Sequence, residues 1–180
     1  MGKLTTIANH HTVDKGTEYY EKHGYTEVYD KYIPEIGKFE LLEIGIWHGD
    51  SLRMWKEYNP ELDIFAIDID PNVLNFIHAN DFNISIGDQS NEELLNSVVL
   101  KSGPLDFIID DGSHVHEHIL SSFKVLWEYV KPGGYYFIED LHAVYAQREY
   151  TIKNIQWFLS NKEHSLFELV CDDKLLIIQK

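Results

Sequence analysis

Seven short apolar runs recur along the chain, at 39–46, 63–69, 82–86, 105–109, 134–138, 166–170 and 175–178, most of them rich in Ile, Leu, Val or Phe. Runs this short and this continuous predict strands buried on both faces. Helix signals fill the gaps between the first five. Asp50-Ser51 precedes Leu52 to Tyr58, Pro71 opens a segment to Ala79, Ser90 precedes Asn91 to Leu100, and Ser113 precedes Val115 to Val130, which Lys131-Pro132-Gly133-Gly134 stops. Strands alternating with helices require right-handed crossovers and predict an α/β fold with a doubly wound, mainly parallel sheet. Only Cys171-Asp172-Asp173-Lys174 separates the last two runs, which predicts an antiparallel hairpin finishing that sheet. Residues 1–38 break the pattern: they are polar, aromatic and rich in His and Tyr, with one helix expected from Tyr25 to Ile33 and ended by Pro34. They read as a cap on the sheet or a lid over a ligand site, with residues 39–180 as the main domain.

Composition narrows the function classes. A chain of 180 residues with 44% hydrophobic content has the size of one core. Fifteen Lys+Arg against thirty Asp+Glu give a formal charge of −15, which disfavours nucleic-acid backbones and anionic membrane surfaces as partners. Cys171 is the only cysteine and cannot form an internal disulfide, and the first residues carry no apolar signal core, so a reducing, cytoplasmic setting is expected. No apolar stretch has the length of a membrane span.

The candidate chemistry lies where the predicted strands end. Glu43-Ile44-Gly45-Ile46-Trp47-His48-Gly49-Asp50-Ser51 reads as strand, glycine turn and helix start, the form of a nucleotide-binding loop. It lacks G-x-G-x-x-G and any Lys or Arg, which argues against a pyrophosphate ligand. Asp68, ending the second strand, is placed to accept from ribose hydroxyls, and Asp88 with Gln89, after the third, to accept from an adenine amino group; each acid taken alone also reads as a helix cap or turn residue. Asp110-Asp111-Gly112-Ser113-His114 closes the fourth run and Glu139-Asp140 the fifth. If those strands are neighbours, four carboxylates meet at one sheet edge, where only a cation or protonation makes them compatible. A hard divalent metal is the simplest occupant.

These residues in this order, with Pro132-Gly133-Gly134 leading to Ile138-Glu139-Asp140, resemble class I S-adenosylmethionine-dependent methyltransferases. More narrowly, they are similar to the metal-dependent sugar O-methyltransferases of the macrocin and mycinamicin type. The resemblance spans roughly residues 39 to 142 and implies a seven-stranded mixed sheet, S-adenosylmethionine over the glycine turn, and Mg²⁺ beside a hydroxyl acceptor of the sugar-containing class. It assigns Asp111, Glu139 and Asp140 to the metal and His114 to the general base, with Glu43, Gly45, Gly49, Ser51, Asp68, Asp88, Gln89 and Asp110 around the cofactor.

On that reading, a metal-bound hydroxyl loses its proton to His114 and attacks the methyl carbon in line with sulfur. His142, two residues past Asp140, is the rival base. His114 and His118 stand one helical turn apart, a spacing that zinc could use, but H-E-x-x-H and a nearby cysteine are both missing. Tyr145, Gln147 and Arg148 are placed in a loop facing the acceptor, while Trp127, Tyr129, Tyr135, Tyr136 and Phe137 read as core. A catechol-type small-molecule O-methyltransferase, a catalytically silent S-adenosylmethionine-binding module and a metal-dependent hydrolase are the alternatives, and assembly into a homo-oligomer is left open.

Overall fold

The computed structural model of the chain describes residues 2–19, 22–77, 81–144 and 147–180. Seven strands form one sheet: β1 (Glu40–Ile44), β2 (Asp63–Asp68), β3 (Asn83–Ile86), β4 (Leu105–Asp110), β5 (Val130–Ile138), β6 (Leu166–Val170) and β7 (Leu175–Gln179), in the order β3-β2-β1-β4-β5-β7-β6. The first five are mutually parallel, and β7 runs antiparallel between β5 and β6. The strand order reverses between β1 and β4. Open α/β sheets bind ligands at such a point, beyond the carboxyl ends of the strands.

Helices α1 (Lys3–His10), α2 (Tyr25–Tyr32) and α3 (Asp50–Tyr58) cover one face of the sheet; α4 (Glu92–Ser102), α5 (His116–Leu126) and α6 (Arg148–Leu159) cover the other. Strand alternation sorts the side chains between them. Leu41, Ile109, Phe137 and Ile177 pack with Leu4, Tyr29 and Trp55, whereas Leu42, Ile108, Tyr136 and Ile178 pack with Leu95, Phe123 and Ile155. Helices α1 and α2, with Val13 and Ile33, are therefore a layer of the main core, sharing its apolar contacts with the sheet.

Several local expectations change. Pro71 opens only a 3-10 turn to Asn75, with Asp70 accepting from the amide of Asn72; the predicted end at Ala79 lies outside the described residues. The Lys131-Pro132-Gly133-Gly134 stop lies within β5, where pairing shifts register between Leu105–Val130 and Phe107–Tyr135. Helices α1 and α6 arise where none was predicted. Trp127, Tyr136 and Phe137 are fully buried, as expected for core residues.

Candidate active site

Beta-strand β1 ends at Ile44, and the chain turns through Gly45 into α3. Gly45 adopts φ 81°, and a Cβ there would stand 2.0 Å from the carbonyl oxygen of Asp111. Only glycine lets β1 and β4 pack this closely at their ends. Gly45→Ala should therefore destabilise the fold by about 2–3 kcal/mol, adding left-handed strain to a backbone clash, as a thermal melt would register.

Two cavities open above this turn. The larger, about 650 Å³, is walled by Gly45, Ser51, Asp68, Asp111, His114 and Asp140, with Lys15 and Tyr19 from the amino-terminal layer and the aromatic side chains of Trp47, His48 and Phe76. The smaller, about 170 Å³, is walled by Gly45, Asp68, Asp88, Gln89, Ser113 and His118. Asp68 borders both. Its Oδ2 accepts from the amides of Ile46 (2.9 Å) and Trp47 (3.1 Å), fixing the glycine turn, and its Oδ1 accepts from that of Asp70. A carboxylate has lone pairs enough to do this and still meet hydroxyls from the cavity. Asp88 accepts from the amide and hydroxyl of Ser90, bonds that hold its carboxyl below the usual range.

Three expected cofactor contacts turn out to be supports. Glu43 is completely buried on the α3 side, where its Oε2 accepts from Trp55 Nε1 at 3.1 Å and its Oε1 lies 3.6 Å from Lys15 Nζ. Burial pushes its carboxyl up to about 7, with Lys15 pulling the other way. Asp110, one residue before Asp111, points to the opposite face and accepts from Gln89 (2.9 Å), Ser122 (2.6 Å) and Tyr136 (3.2 Å). It reaches the smaller cavity only through Gln89, whose Oε1 accepts from the Ser113 amide. Gly49 lines neither cavity; at φ 74° it begins α3 against the Ile77 side chain.

At the ends of β4 and β5 the acids do converge. Asp111 and Asp140 face the larger cavity with His114 between them, its Nε2 3.9 Å from an oxygen of each. One ligand atom from each of these three residues falls within a 4.8 Å cluster. His114 (φ 53°) and Asp140 (φ 52°) both adopt left-handed backbone, a costly conformation that the surrounding turns impose at the point where the side chains meet. The Tyr25 hydroxyl donates to Asp140 Oδ1 at 2.6 Å. Burial raises the Asp140 carboxyl, but that bond and the nearby His23 and His114 outweigh it and keep it below its ordinary value.

Glu139, expected beside them as a third ligand, is turned into the protein instead. It is 1% exposed, its Oε1 accepts from the Tyr29 hydroxyl at 2.6 Å and its Oε2 from Lys15 Nζ at 2.8 Å. Lys15 also donates to Asp111. The cation that the acid cluster demands is thus supplied, in part, by the chain's own amino-terminal layer. Burial would discharge Lys15, but Asp111, Glu139 and Glu43 outweigh it and hold its ammonium protonated. Burial and the neighbouring Asp111 in turn push the Glu139 carboxyl up.

The rival base His142 lines neither cavity; its Nδ1 lies 3.9 Å from Asp140 Oδ1, and its ring sits 5.7 Å from that of His23. Of the expected acceptor loop, Tyr145 lies outside the described residues, Gln147 caps α6 and Arg148 begins it, 3.9 Å from Asp173. His118 bonds Ser113 at 3.0 Å and has no part in the cluster around His114.

This combination of glycine turn, strand-end acids and reversed strand order coincides with a sequence match: residues 42–141 fit the family described as "Methyltransferase domain". The chain belongs to that family. Among curated methyltransferases, it is 37% identical over 134 residues to mycinamicin VI 2''-O-methyltransferase of Micromonospora griseorubida. It is 40% identical over 134 residues to demethylmacrocin O-methyltransferase of Streptomyces fradiae. Each alignment covers 68% of this chain and 33% of the relative, so the chain spans about a third of the length of these proteins. The fold also matches the MycE methyltransferase from the mycinamycin biosynthetic pathway, solved in complex with Mg, SAH and mycinamycin VI. That match has a TM-score of 0.78 at 25% identity and covers 98% of this chain and 54% of the other. No helix among the described residues is long and apolar enough to cross a membrane.

Proposed function

We propose that this methyltransferase domain transfers the methyl group of S-adenosylmethionine to a hydroxyl of a sugar or glycosylated metabolite, with Mg²⁺ at the acceptor, in a cytoplasmic setting. The observation that carries this is that one cavity of about 650 Å³ is walled by Gly45 and Asp68 and also by Asp111, His114 and Asp140. A nucleoside against the first two and a hydroxyl against the others would share one space. The names of relatives support the sugar class, since one is an 8-demethyl-8-(2-methoxy-alpha-L-rhamnosyl)-tetracenomycin-C 3'-O-methyltransferase and another an L-olivosyl-oleandolide 3-O-methyltransferase, and MycE was solved with Mg and SAH.

The donor set fits a hard divalent ion. Two carboxylates with remaining positions left to water and substrate is a usual arrangement for Mg²⁺. Asp111 and Asp140 would hold it, and when bound it lowers the pKa of a coordinated hydroxyl. His114, between those acids, is placed to take the proton from an acceptor hydroxyl in the cavity. Asp68 orients the ribose, Gly45 gives the cofactor close access to the backbone, and the Trp47, His48 and Phe76 side chains offer a hydrophobic wall for a sugar's apolar face. Those rings, with His48 4.2 Å from Trp47 and 4.5 Å from Phe76, would suit a catechol as well, so an acceptor panel should contain both classes.

Isothermal titration with S-adenosylhomocysteine should show saturable binding that Asp68→Ala weakens at least about tenfold, the loss of two hydrogen bonds to a charged acceptor. Binding that is absent, or indifferent to Asp68→Ala, refutes the cofactor assignment. Methyl transfer to the panel should stop on chelation and return with Mg²⁺. Turnover unaffected by chelator refutes the metal.

A further inference from the structure

We infer that His10, His11 and Glu57 form a second metal site, apart from the acids at the strand ends, that takes Zn²⁺ and clips α1 to α3. Among the described residues, two groups of three bring ligand atoms within 4.8 Å of one another, and they differ in kind. Asp111, His114 and Asp140 offer mainly carboxylate oxygen, whereas His10, His11 and Glu57 offer two imidazole nitrogens and one carboxylate oxygen. Carboxylate and water suit Mg²⁺, and imidazole suits Zn²⁺, so the two groups favour different ions.

Elements already packed together assemble the donors. Helix α1 lies against α3; His10 is the last residue of α1, His11 caps it, and Glu57 lies in the last turn of α3. The two imidazole rings stand edge to face with centroids 5.3 Å apart. His11 Nε2 lies 2.6 Å from Glu57 Oε2, a pair that meets across the two helices. Donors on a tetrahedral Zn²⁺ stand about 3.3 Å apart, given bonds of about 2.0–2.1 Å. The pair therefore has to open by less than about 1 Å, a small movement for side chains 20% and 50% exposed. Water completes the fourth position. The clip also bears on the larger cavity. Thr12, directly after His11, turns the chain at φ 59° into the part of the cavity wall that ends at Lys15, and Asp50 and Ser51 begin α3 on the same cavity. An ion joining α1 to α3 fixes two elements that lead into that wall.

Calorimetric titration of Zn²⁺ into the untagged full chain, with Mg²⁺ in millimolar excess, tests this. Saturable binding is expected. It should persist in Asp140→Asn and weaken at least about tenfold in both His11→Gln and Glu57→Gln, since losing a direct donor costs more than losing a group behind one. With Zn²⁺ at about 100 times its Kd, the natural chain should melt about 5 °C higher than in chelator, and His11→Gln should gain less than half of that rise. No saturable Zn²⁺ binding by the natural chain, natural affinity in either His11→Gln or Glu57→Gln, loss of all saturable binding in Asp140→Asn, or equal rises in melting temperature for the natural chain and His11→Gln each overturns the inference.

Discussion

Replacing His114 by glutamine should lower the rate of methyl transfer by about 10²–10⁴-fold, the usual contribution of a positioned general base. Among the described residues, His114 and His48 are the histidines that border the larger cavity, and His114 stands between Asp111 and Asp140, 3.9 Å from each. Glutamine keeps a polar side chain of similar reach but cannot accept a proton in the neutral range. The loss should therefore fall on kcat, with S-adenosylhomocysteine affinity unchanged in the same preparation. His142→Gln should leave kcat within a few-fold, because its ring lies outside the cavity. Initial rates with labelled S-adenosylmethionine and the acceptor panel measure both. A full rate in His114→Gln, or a large fall in His142→Gln, reverses the assignment of the base.

Trp55→Ala should cost about 3–5 kcal/mol, the range for deleting a large buried ring. Trp55 is completely buried on α3 and meets Tyr29 edge-on at 5.5 Å, and Tyr29 meets Phe137 edge-on at 4.9 Å. Its Nε1 also supplies the bond to Glu43 Oε2, so alanine opens a cavity and removes a donor from a buried acid at once. For a domain of this size the melting temperature should fall by roughly 10 °C. Trp55→Phe, which retains most of the packing and loses the N–H, should fall by less than half as much. Equal falls for the two variants would mean that the hydrogen bond, rather than the ring, carries the effect.

Much of the sheet was legible because parallel strands buried on both faces leave unbroken apolar runs, and β1, β2 and β4 lie within those runs almost end to end. Helix α6 was not legible because only Thr151, Ile155 and Leu159 are buried on it, a stripe too thin to stand out from polar neighbours. Helix α1 is eight residues long and buries Leu4, Thr5, Ile7 and Ala8, too short for a period to show. The Lys131-Pro132-Gly133-Gly134 segment looked like punctuation because a strand with a register shift tolerates the residues that end a helix.

At the site, the strand-end acids announced themselves, yet Asp110 and Asp111 were both placed at the open edge, the first around the cofactor and the second at the metal. Asp110 and Asp111 leave opposite faces, and so only Asp111 reaches the cavity. Lys15 carried no signal of its kind. It is 96 residues from Asp111 and 124 from Glu139, in a polar segment where a lysine ordinarily means a solvated surface, and only packing the amino-terminal layer on the sheet brings it to the acids.

The central claim is that the ends of β4 and β5 bring Asp111 and Asp140 to one divalent ion beside a nucleoside seated over Gly45. A crystal structure with S-adenosylhomocysteine and Mn²⁺ in place of Mg²⁺ tests it most directly, because the anomalous signal locates the ion. The expected result is one peak within coordination distance of an oxygen of Asp111 and one of Asp140, with the ribose at Asp68. A peak elsewhere, no peak between those acids, or a nucleoside bound away from Gly45 and Asp68 would contradict the account.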